Sequence, residues 1–254
     1  MPNWTAEDGT SINYRVMGSS KSPALLLLPG LLGSIQTQWS TFAKTLAKDY
    51  HVILMDLRGH GRSTNEAAVL RPDPMVGDIL GLLDQLQVGQ VHVAGYSLGG
   101  YLGLILAQNQ PRRVGSLVMH ATKFYWTEAA AVQMSQQLDP DKMAESVPGY
   151  ADQLVQAHGG RQWRELVRQA AELVVWLAEN GLTEKVATNI QTPILVSVGD
   201  RDELVPLNEA HRLSRALPNG MLLTLPGVRH PFQTIHTIPL LPMIQHFPHM
   251  AGRQ

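Results

Sequence analysis

The stretch Gly-Tyr-Ser-Leu-Gly at positions 95–99 constrains the fold more than any other part of the sequence. An apolar run typical of a buried strand precedes it at 91–94, and apolar residues at helical spacing follow it at 98–106. A serine at the apex of a strand–turn–helix adopts a sparsely allowed backbone conformation, so the residues two before and two after it must be small. Gly95 and Gly99 meet this requirement, and such a turn lifts the serine hydroxyl out of the sheet edge.

Strand and helix patterns alternate through the first half of the chain. The strand patterns lie at 24–28, 51–57, 91–94 and 114–120, and the helical patterns at 39–47, 75–86 and 98–106. Pro72 and Pro74 precede the second of these helices as breakers. Asp8-Gly9, between two short stretches of alternating residues, predicts an opening antiparallel hairpin. The repeated order predicts an α/β fold with a mostly parallel sheet flanked by helices.

The alternation stops between 122 and 189, where only helical stretches with glycine and proline stops are found. It resumes with strands at 194–198 and 221–225, a helix at 207–217 and a last helix after Pro239 or Pro242. We therefore predict one core domain in two parts, 1–121 and 190–254, with a helical cap at 122–189 inserted between them.

The charge balance favours small-molecule chemistry. The sequence has 20 Lys and Arg residues and 21 Asp and Glu residues, so there is no excess of positive charge to attract nucleic acid or anionic lipid. The longest apolar run, at 24–32, is broken by Pro29-Gly30 and is too short to cross a bilayer. The first residues carry neither a basic start nor an apolar stretch, which predicts a cytoplasmic protein without a secretory signal.

Two further absences narrow the chemistry. The chain has no cysteine, which excludes disulfides, thiolate nucleophiles and thiolate metal sites. No group of histidines and carboxylates has metal-ligand spacing, so we expect no catalytic metal and no cofactor. The glycine-rich stretch around His60 is not followed by the lysine of a phosphate-binding loop, and we interpret it as structural.

A serine hydroxyl is a poor nucleophile near neutral pH and needs a base that a carboxylate orients. Two late loops offer both groups. The first carries Asp200 and Asp202 and the second carries His230, and each follows a predicted strand. Open α/β sheets place their sites at these carboxyl ends of strands. The order of Ser97, an acid and His230 is that of one recurring catalytic triad.

These motifs resemble the α/β-hydrolase superfamily, in its branch of esterases and related enzymes with a small helical cap. The resemblance is carried by Gly-Tyr-Ser-Leu-Gly-Gly at 95–100, Asp-Leu-Arg-Gly-His-Gly-Arg-Ser at 56–63, Gly-Asp-Arg-Asp at 199–202, and His230. It implies Asp202, rather than Asp200, as the acid of the triad. In that family Asp200 would be a turn or capping residue.

The resemblance also implies an oxyanion hole formed by two backbone N–H groups, those of Leu31 and Leu98. Leu98 follows the serine at the start of a predicted helix, where the N–H is free to bind an anion. Leu31 follows Pro29-Gly30, where the family commonly has His-Gly. A backbone donor does not depend on the preceding side chain, but any hydrogen bond made by that histidine would be missing.

The activity implied is hydrolysis of a small to medium, largely apolar carboxylic ester or lactone through an acyl-enzyme on Ser97. The stretch Gly-Leu-Leu-Gly at 30–33 is not a triple glycine, which implies esters of primary or secondary alcohols. The expected partner is therefore a small-molecule ester, without nucleic acid or membrane insertion. The sequence leaves the oligomeric state open.

Other activities share the same triad and cap. Carbon–carbon bond hydrolases and lyases usually need cationic groups for a dicarboxylate, and Arg161, Arg164 and Arg168 lie close together on one helical stretch. Perhydrolysis is a further alternative, and a ligand receptor with slow hydrolysis is an alternative of another class.

We expect some of the aromatic and methionine residues of the predicted cap to cover the site: Phe124, Tyr125, Trp126, Tyr150, Trp163, Trp176, Met134 and Met143. His120, at a strand end, is a further candidate for the pocket wall.

Overall fold

The computed structural model describes residues 2–235 and 237–251. Within them, the strands are β1 (Asn3–Thr5), β2 (Ser11–Met17), β3 (Ala24–Leu28), β4 (His51–Met55), β5 (Val91–Tyr96), β6 (Val114–His120), β7 (Ile194–Gly199) and β8 (Gly220–Leu225). They form a sheet in the order β1-β2-β4-β3-β5-β6-β7-β8. The pairs β1–β2 and β2–β4 are antiparallel, and the other neighbours are parallel. The predicted fold class and the opening hairpin are confirmed.

Helices follow the strands and cover the sheet. They are α1 (Ser40–Leu46), α2 (Pro72–Gln85), α3 (Leu98–Asn109), α4 (Glu128–Gln137), α5 (Pro140–Ser146), α6 (Pro148–His158), α7 (Gln162–Asn180), α8 (Glu184–Ala187), α9 (Leu207–Ala216) and α10 (Thr237–Ala251). A short 3₁₀ turn spans Phe232–Thr234.

One predicted helix start was wrong. Pro72 and Pro74 lie inside the first turn of α2 instead of preceding it. A proline at the first helical position loses only an N–H that the helix would leave unpaired, so it can open a helix as well as end one. The last helix is assigned from Thr237, but its backbone departs from helical angles at Ile238, so the continuous helix runs from Pro239, the first of the two prolines expected to mark its start.

The core lies on both faces of the sheet, and β3 shows why. Leu26 and Leu28 join a cluster with α2, α3 and α7, whereas Leu25 and Leu27 join a second cluster with α1 and α10. All four side chains are almost fully buried. A strand covered by helices on both faces has no solvent-facing side, which explains the unbroken run of leucines.

Between β6 and β7 the chain forms the helices α4 to α8. The apolar face of α7, with Leu166, Val167, Ala170 and Leu173 buried, belongs to the same cluster as α2 and α3. These helices therefore cover the end of the sheet that carries the loops after β3 and β5. Division of the chain into a two-part core and a cap at 122–189 stays a prediction. No helix within the described ranges combines the length and apolar character needed to cross a membrane.

Candidate active site

Ser97 lies between the end of β5 and the start of α3 with φ 50° and ψ −115°. A non-glycine residue in this region costs about 1–3 kcal/mol and persists only when its surroundings enforce it. The Ser97 N–H donates to the carbonyl of His120 at 2.8 Å, and Thr122 Oγ1 donates to the Ser97 carbonyl at 3.1 Å. Both ends of the strained residue are thus tied to β6 and the loop that follows it.

The two flanking glycines leave no room for a side chain. A Cβ on Gly95 would lie 2.4 Å from the backbone of Gly99 and Gly100, and a Cβ on Gly99 would lie 2.4 Å from the carbonyl oxygen of Leu28. These obstacles are backbone atoms, which cannot swing aside as a side chain can. The size requirement predicted at these positions is confirmed.

A continuous hydrogen-bond path joins the three side chains predicted to form the triad. Ser97 Oγ lies 3.5 Å from His230 Nε2, and His230 Nδ1 lies 3.0 and 3.1 Å from the two carboxylate oxygens of Asp202. The Asp202 side chain is fully buried and also accepts the N–H groups of Leu204 and Val205 at 2.9 and 2.8 Å. The first distance is at the upper limit for a hydrogen bond.

The structure separates the two candidate acids. Asp200 turns to the neighbouring loop, where its carboxylate accepts the Gly227 N–H at 2.6 Å. Of the two carboxylates, that of Asp202 contacts the His230 ring. The arrangement can therefore pass a proton from Ser97 to an imidazole that Asp202 orients.

Two residues that the sequence analysis did not single out fix the backbone of His230. The Tyr96 hydroxyl donates to the His230 carbonyl at 2.6 Å, and Glu203 accepts the His230 N–H at 3.1 Å. Burial raises the pKa of Tyr96, so its hydroxyl stays a donor. Their only sequence signal is position, since Tyr96 precedes the serine and Glu203 follows the acid.

The other side of the site is the turn at 30–33. The Gly33 N–H donates to the Gly30 carbonyl at 3.0 Å, and Leu32 has φ 61°. A Cβ on Gly30 would lie 3.2 Å from the Ser97 Cβ, so this turn runs directly beside the serine. Among the described residues, neither the Leu31 N–H nor the Leu98 N–H has a hydrogen-bond acceptor. The two N–H groups expected to form the oxyanion hole are thus unpaired, one in this turn and one in the residue after Ser97.

A glutamine supports this turn. Gln38 Oε1 accepts the Gly30 N–H at 2.8 Å, and the Gln38 side chain fills the space that a side chain on Gly33 would need. Gln38 thus provides a buried hydrogen bond in the region where the family's histidine is absent. His158, which the sequence analysis also passed over, contacts the turn from α6 through the Leu32 carbonyl at 3.0 Å.

The glycine-rich loop at 56–63 binds other parts of the protein. Asp56 accepts the N–H groups of Ile35 and Arg62 at 2.7 and 3.0 Å, and Arg58 forms a buried ion pair with Asp78 at 2.7 Å. Burial lowers the pKa of His60 to about 3, which keeps this ring neutral. These contacts support the structural interpretation of the loop.

A cavity of about 460 Å³ opens over Ser97 and His230. Leu31 and Leu98 form part of its wall, and Leu154 of α6 and Leu173 of α7 close it from the other side. Of the candidate covering residues, Trp126, Tyr150 and Met134 line the cavity, whereas Phe124, Tyr125, Trp163, Trp176 and Met143 do not. The site is thus enclosed between the sheet edge and the inserted helices, and its wall is mainly apolar.

Two other groups of candidates lie away from the cavity. His120 is buried and contacts Ser197 Oγ at 3.0 Å instead of lining the pocket. Arg161, Arg164 and Arg168 do not line it either: Arg164 pairs with Asp141, and Arg168 lies 3.9 Å from Glu165. Their spacing along one helical stretch did not show whether these arginines face the cavity. Within the described part of the chain, no three His, Asp or Glu side chains are grouped so that they could hold a metal ion.

A model of the alpha/beta hydrolase fold matches residues 23–163, and the chain belongs to this family. A 3-oxoadipate enol-lactonase 2 of Acinetobacter baylyi is 34% identical over 134 residues, which cover 53% of this chain and 49% of that one. The chain thus spans about half the length of that relative. A putative carbamate hydrolase RutD of Pseudomonas syringae pv. syringae is 31% identical over 231 residues, covering 80% of this chain and 85% of that one.

The structure is also similar to that of the enol-lactonase from Burkholderia xenovorans LB400, with a TM-score of 0.78, 20% identity and full coverage of both chains. At this identity the likeness concerns the fold. Together with the names of the sequence relatives, it supports a hydrolase of this fold.

Proposed function

We propose that this protein is a serine hydrolase that cleaves a small to medium carboxylic ester or lactone through an acyl-enzyme on Ser97. The observation that carries the proposal is the hydrogen-bond path from Ser97 through His230 to buried Asp202, at the floor of an apolar cavity. Two free backbone N–H groups beside Ser97 complete the parts that acyl transfer needs.

The chemistry follows from the positions of these atoms. As Ser97 Oγ attacks the carbonyl carbon, His230 Nε2 accepts the hydroxyl proton, while Asp202 holds Nδ1 and stabilises the imidazolium. The carbonyl π electrons move to oxygen, and the Leu31 and Leu98 N–H groups stabilise that oxyanion. Collapse of the intermediate breaks the bond to the leaving alcohol, which takes the proton from His230.

Water completes the reaction. His230 removes a proton from a water molecule that attacks the acyl carbon, and the acid product leaves as Ser97 regains its proton. Removing one oxyanion donor from other hydrolases slows them roughly 10²–10³-fold. Both free N–H groups are therefore expected to be essential for efficient turnover.

The cavity wall favours apolar acyl or alcohol groups. Leu31, Leu98, Met134, Leu154 and Leu173 surround the reacting centre. The relatives named as enol-lactonase and putative carbamate hydrolase suggest two further substrate types, a cyclic ester and a carbamate. Ester and carbamate carbonyls are both attacked in the same way by a serine nucleophile, so both belong in a substrate panel.

The arginines that would have favoured carbon–carbon chemistry do not reach the cavity. A dicarboxylate would not meet these arginines, and the lysine of the cavity wall, Lys123, is already paired with Glu209. Carbon–carbon cleavage, perhydrolysis and a receptor role are therefore outcomes to be tested rather than leading functions.

The test is turnover of p-nitrophenyl esters from acetyl to dodecanoyl, an aliphatic lactone and an aryl carbamate. Ser97→Ala should lose about 10⁶ in kcat, because the triad acts as a unit. Asp202→Asn should lose roughly 10⁴, as in other triads. Asp200→Asn is the matched control, since it changes the neighbouring carboxylate that binds Gly227, and it should stay within about threefold of wild type.

Two results would count against the proposal. A wild-type protein inactive on the whole panel would favour carbon–carbon substrates or a receptor. Full activity of Ser97→Ala would exclude an acyl-enzyme on Ser97 as an intermediate. The chain-length optimum, in contrast, measures the acyl pocket without bearing on the mechanism.

A further inference from the structure

His158, the last residue of α6, contacts two loops of the sheet edge with one buried ring. Its Nδ1 lies 2.7 Å from the Gly61 backbone nitrogen, and its Nε2 lies 3.0 Å from the Leu32 carbonyl oxygen. A backbone N–H can only donate and a carbonyl can only accept, so Nδ1 is the acceptor and Nε2 the donor. The contacts define a single neutral tautomer.

The surroundings of the ring agree with that assignment. Burial lowers the pKa of His158, and the neighbouring ring is that of His60, whose pKa burial also lowers. Both rings are neutral, and neither competes with the backbone contacts of the other. His158 therefore acts through its two hydrogen bonds and not through titration.

One of those bonds reaches the turn that carries a proposed oxyanion donor. Leu32 has φ 61°, and a leucine keeps such an angle only where its neighbours hold it. Gln38, eight residues along the chain from Gly30, holds the start of the turn through the Gly30 N–H. His158 holds the end of the turn, and it does so from the inserted helices.

We propose that His158 is a positioning residue that fixes the Leu32 carbonyl, and through it the Leu31 N–H, so that the oxyanion hole is complete only when α6 is seated on the sheet edge. This inference rests on the proposed function of Ser97. It makes the inserted helices part of the catalytic geometry and not only a cover for the substrate. Without the bond to His158, the turn is free to leave the left-handed conformation.

Two substitutions separate the two hydrogen bonds. In His158→Gln, the amide nitrogen sits as many bonds from Cβ as Nε2 does, so it keeps the donor to Leu32 and loses the acceptor for Gly61. In His158→Asn, the amide oxygen takes the place of Nδ1, so it keeps the acceptor for Gly61 and loses the donor to Leu32. Each variant lacks one buried hydrogen bond, so both should be destabilised to a similar extent.

The experiment compares both variants with wild type in hydrolysis of p-nitrophenyl butyrate and in inhibition by an alkyl trifluoromethyl ketone. Ser97 Oγ adds to the carbonyl carbon of this ketone, and the resulting oxyanion occupies the proposed oxyanion hole. His158→Asn should lower kcat by roughly tenfold, with KM little changed and the inhibition constant raised in parallel, since a misplaced oxyanion donor acts in the transition state. His158→Gln should recover most of kcat and of the inhibition.

The matched control is His211→Asn, the same substitution at an exposed histidine of α9, which should leave both measurements unchanged. Equal kcat values for the two His158 variants, or losses that track their thermal stability, would show a purely structural role and overturn the inference. A wild type without Ser97-dependent hydrolysis, and without labelling of Ser97 by a fluorophosphonate, would instead remove the proposed function and this inference with it.

Discussion

The two sides of the site each hold a non-glycine residue at positive φ, by different means. Ser97, at φ 50°, depends on Gly95 and Gly99, two residues to either side, where a Cβ would not fit. Leu32, at φ 61°, depends on Gln38 and on His158 of α6. Close backbone packing around the two glycines, with hydrogen bonds to His120 and Thr122, maintains the first conformation, whereas side-chain hydrogen bonds maintain the second. The serine side, residues 95–99, should therefore be disrupted by a steric clash. The oxyanion side, which is the turn at 30–33 with its proposed oxyanion donor, should be disrupted by the loss of a single hydrogen bond.

A clash on the serine side should have the largest effect. Gly99→Ala would place a Cβ 2.4 Å from the Leu28 carbonyl oxygen and 2.6 Å from that of Pro29. Because backbone must move to admit it, we expect a loss of about 3 kcal/mol or more in the free energy of unfolding. Urea unfolding measures this loss.

The control for that prediction is Gly77→Ala in α2, where an added Cβ meets nothing within 4 Å. Alanine in a helix interior should raise the free energy of unfolding by about 0.5–1 kcal/mol. Equal stabilities for the two alanine variants would show that the close approach at Gly99 does not maintain the turn.

On the oxyanion side, Gln38→Leu should act mainly on turnover. It removes the acceptor of the Gly30 N–H, so we expect the turn to shift and kcat to fall roughly tenfold, which is about 1.4 kcal/mol in activation free energy. Steady-state kinetics on a p-nitrophenyl ester measures the change. Gln153→Leu, at another glutamine of the cavity wall, should change kcat much less. A wild-type kcat for Gln38→Leu would show that the turn holds its shape unaided.

The effect of pH is small for each group, and it involves one buried histidine near each side of the site. Burial lowers the pKa of His60, near the oxyanion turn, to about 3 and that of His120, beside Tyr96, to about 4. In the unfolded chain both titrate near 6.5, so below that pH the unfolded state binds more protons and folding stability falls. Each histidine should contribute about 1.4 kcal/mol of loss for each pH unit between 6.5 and its folded pKa.

Urea unfolding at pH 7 and pH 5.5 measures this dependence. His60→Asn and His120→Asn should each reduce the pH dependence of the free energy of unfolding by the contribution of one histidine. Asparagine can replace the hydrogen bond of Nδ1, but it does not titrate. A slope unchanged in both variants would mean that other groups cause the acid sensitivity.

The same contrast explains what the sequence could predict. The strands, the serine turn and the order of acid and base depend on local patterns, and the structure reproduces those elements and brings Ser97, Asp202 and His230 together. The supports at Gln38 and His158 carry no local pattern: the first depends on how the loop before α1 folds back on Gly30, and the second exists only after α6 packs on the sheet edge. Pro72 illustrates a different limit, since a proline can start a helix as well as precede one.

The wall of the cavity carries a cation that is already neutralised. Lys123 Nζ lies 2.6 and 2.8 Å from the two carboxylate oxygens of Glu209, and the lysine side chain is only 9% exposed. An anionic ligand would have to compete with Glu209 for this ammonium group, so the cavity exerts little electrostatic pull on molecules that approach it. Capture of a ligand should therefore depend on apolar surface and shape, and its rate should change little with ionic strength.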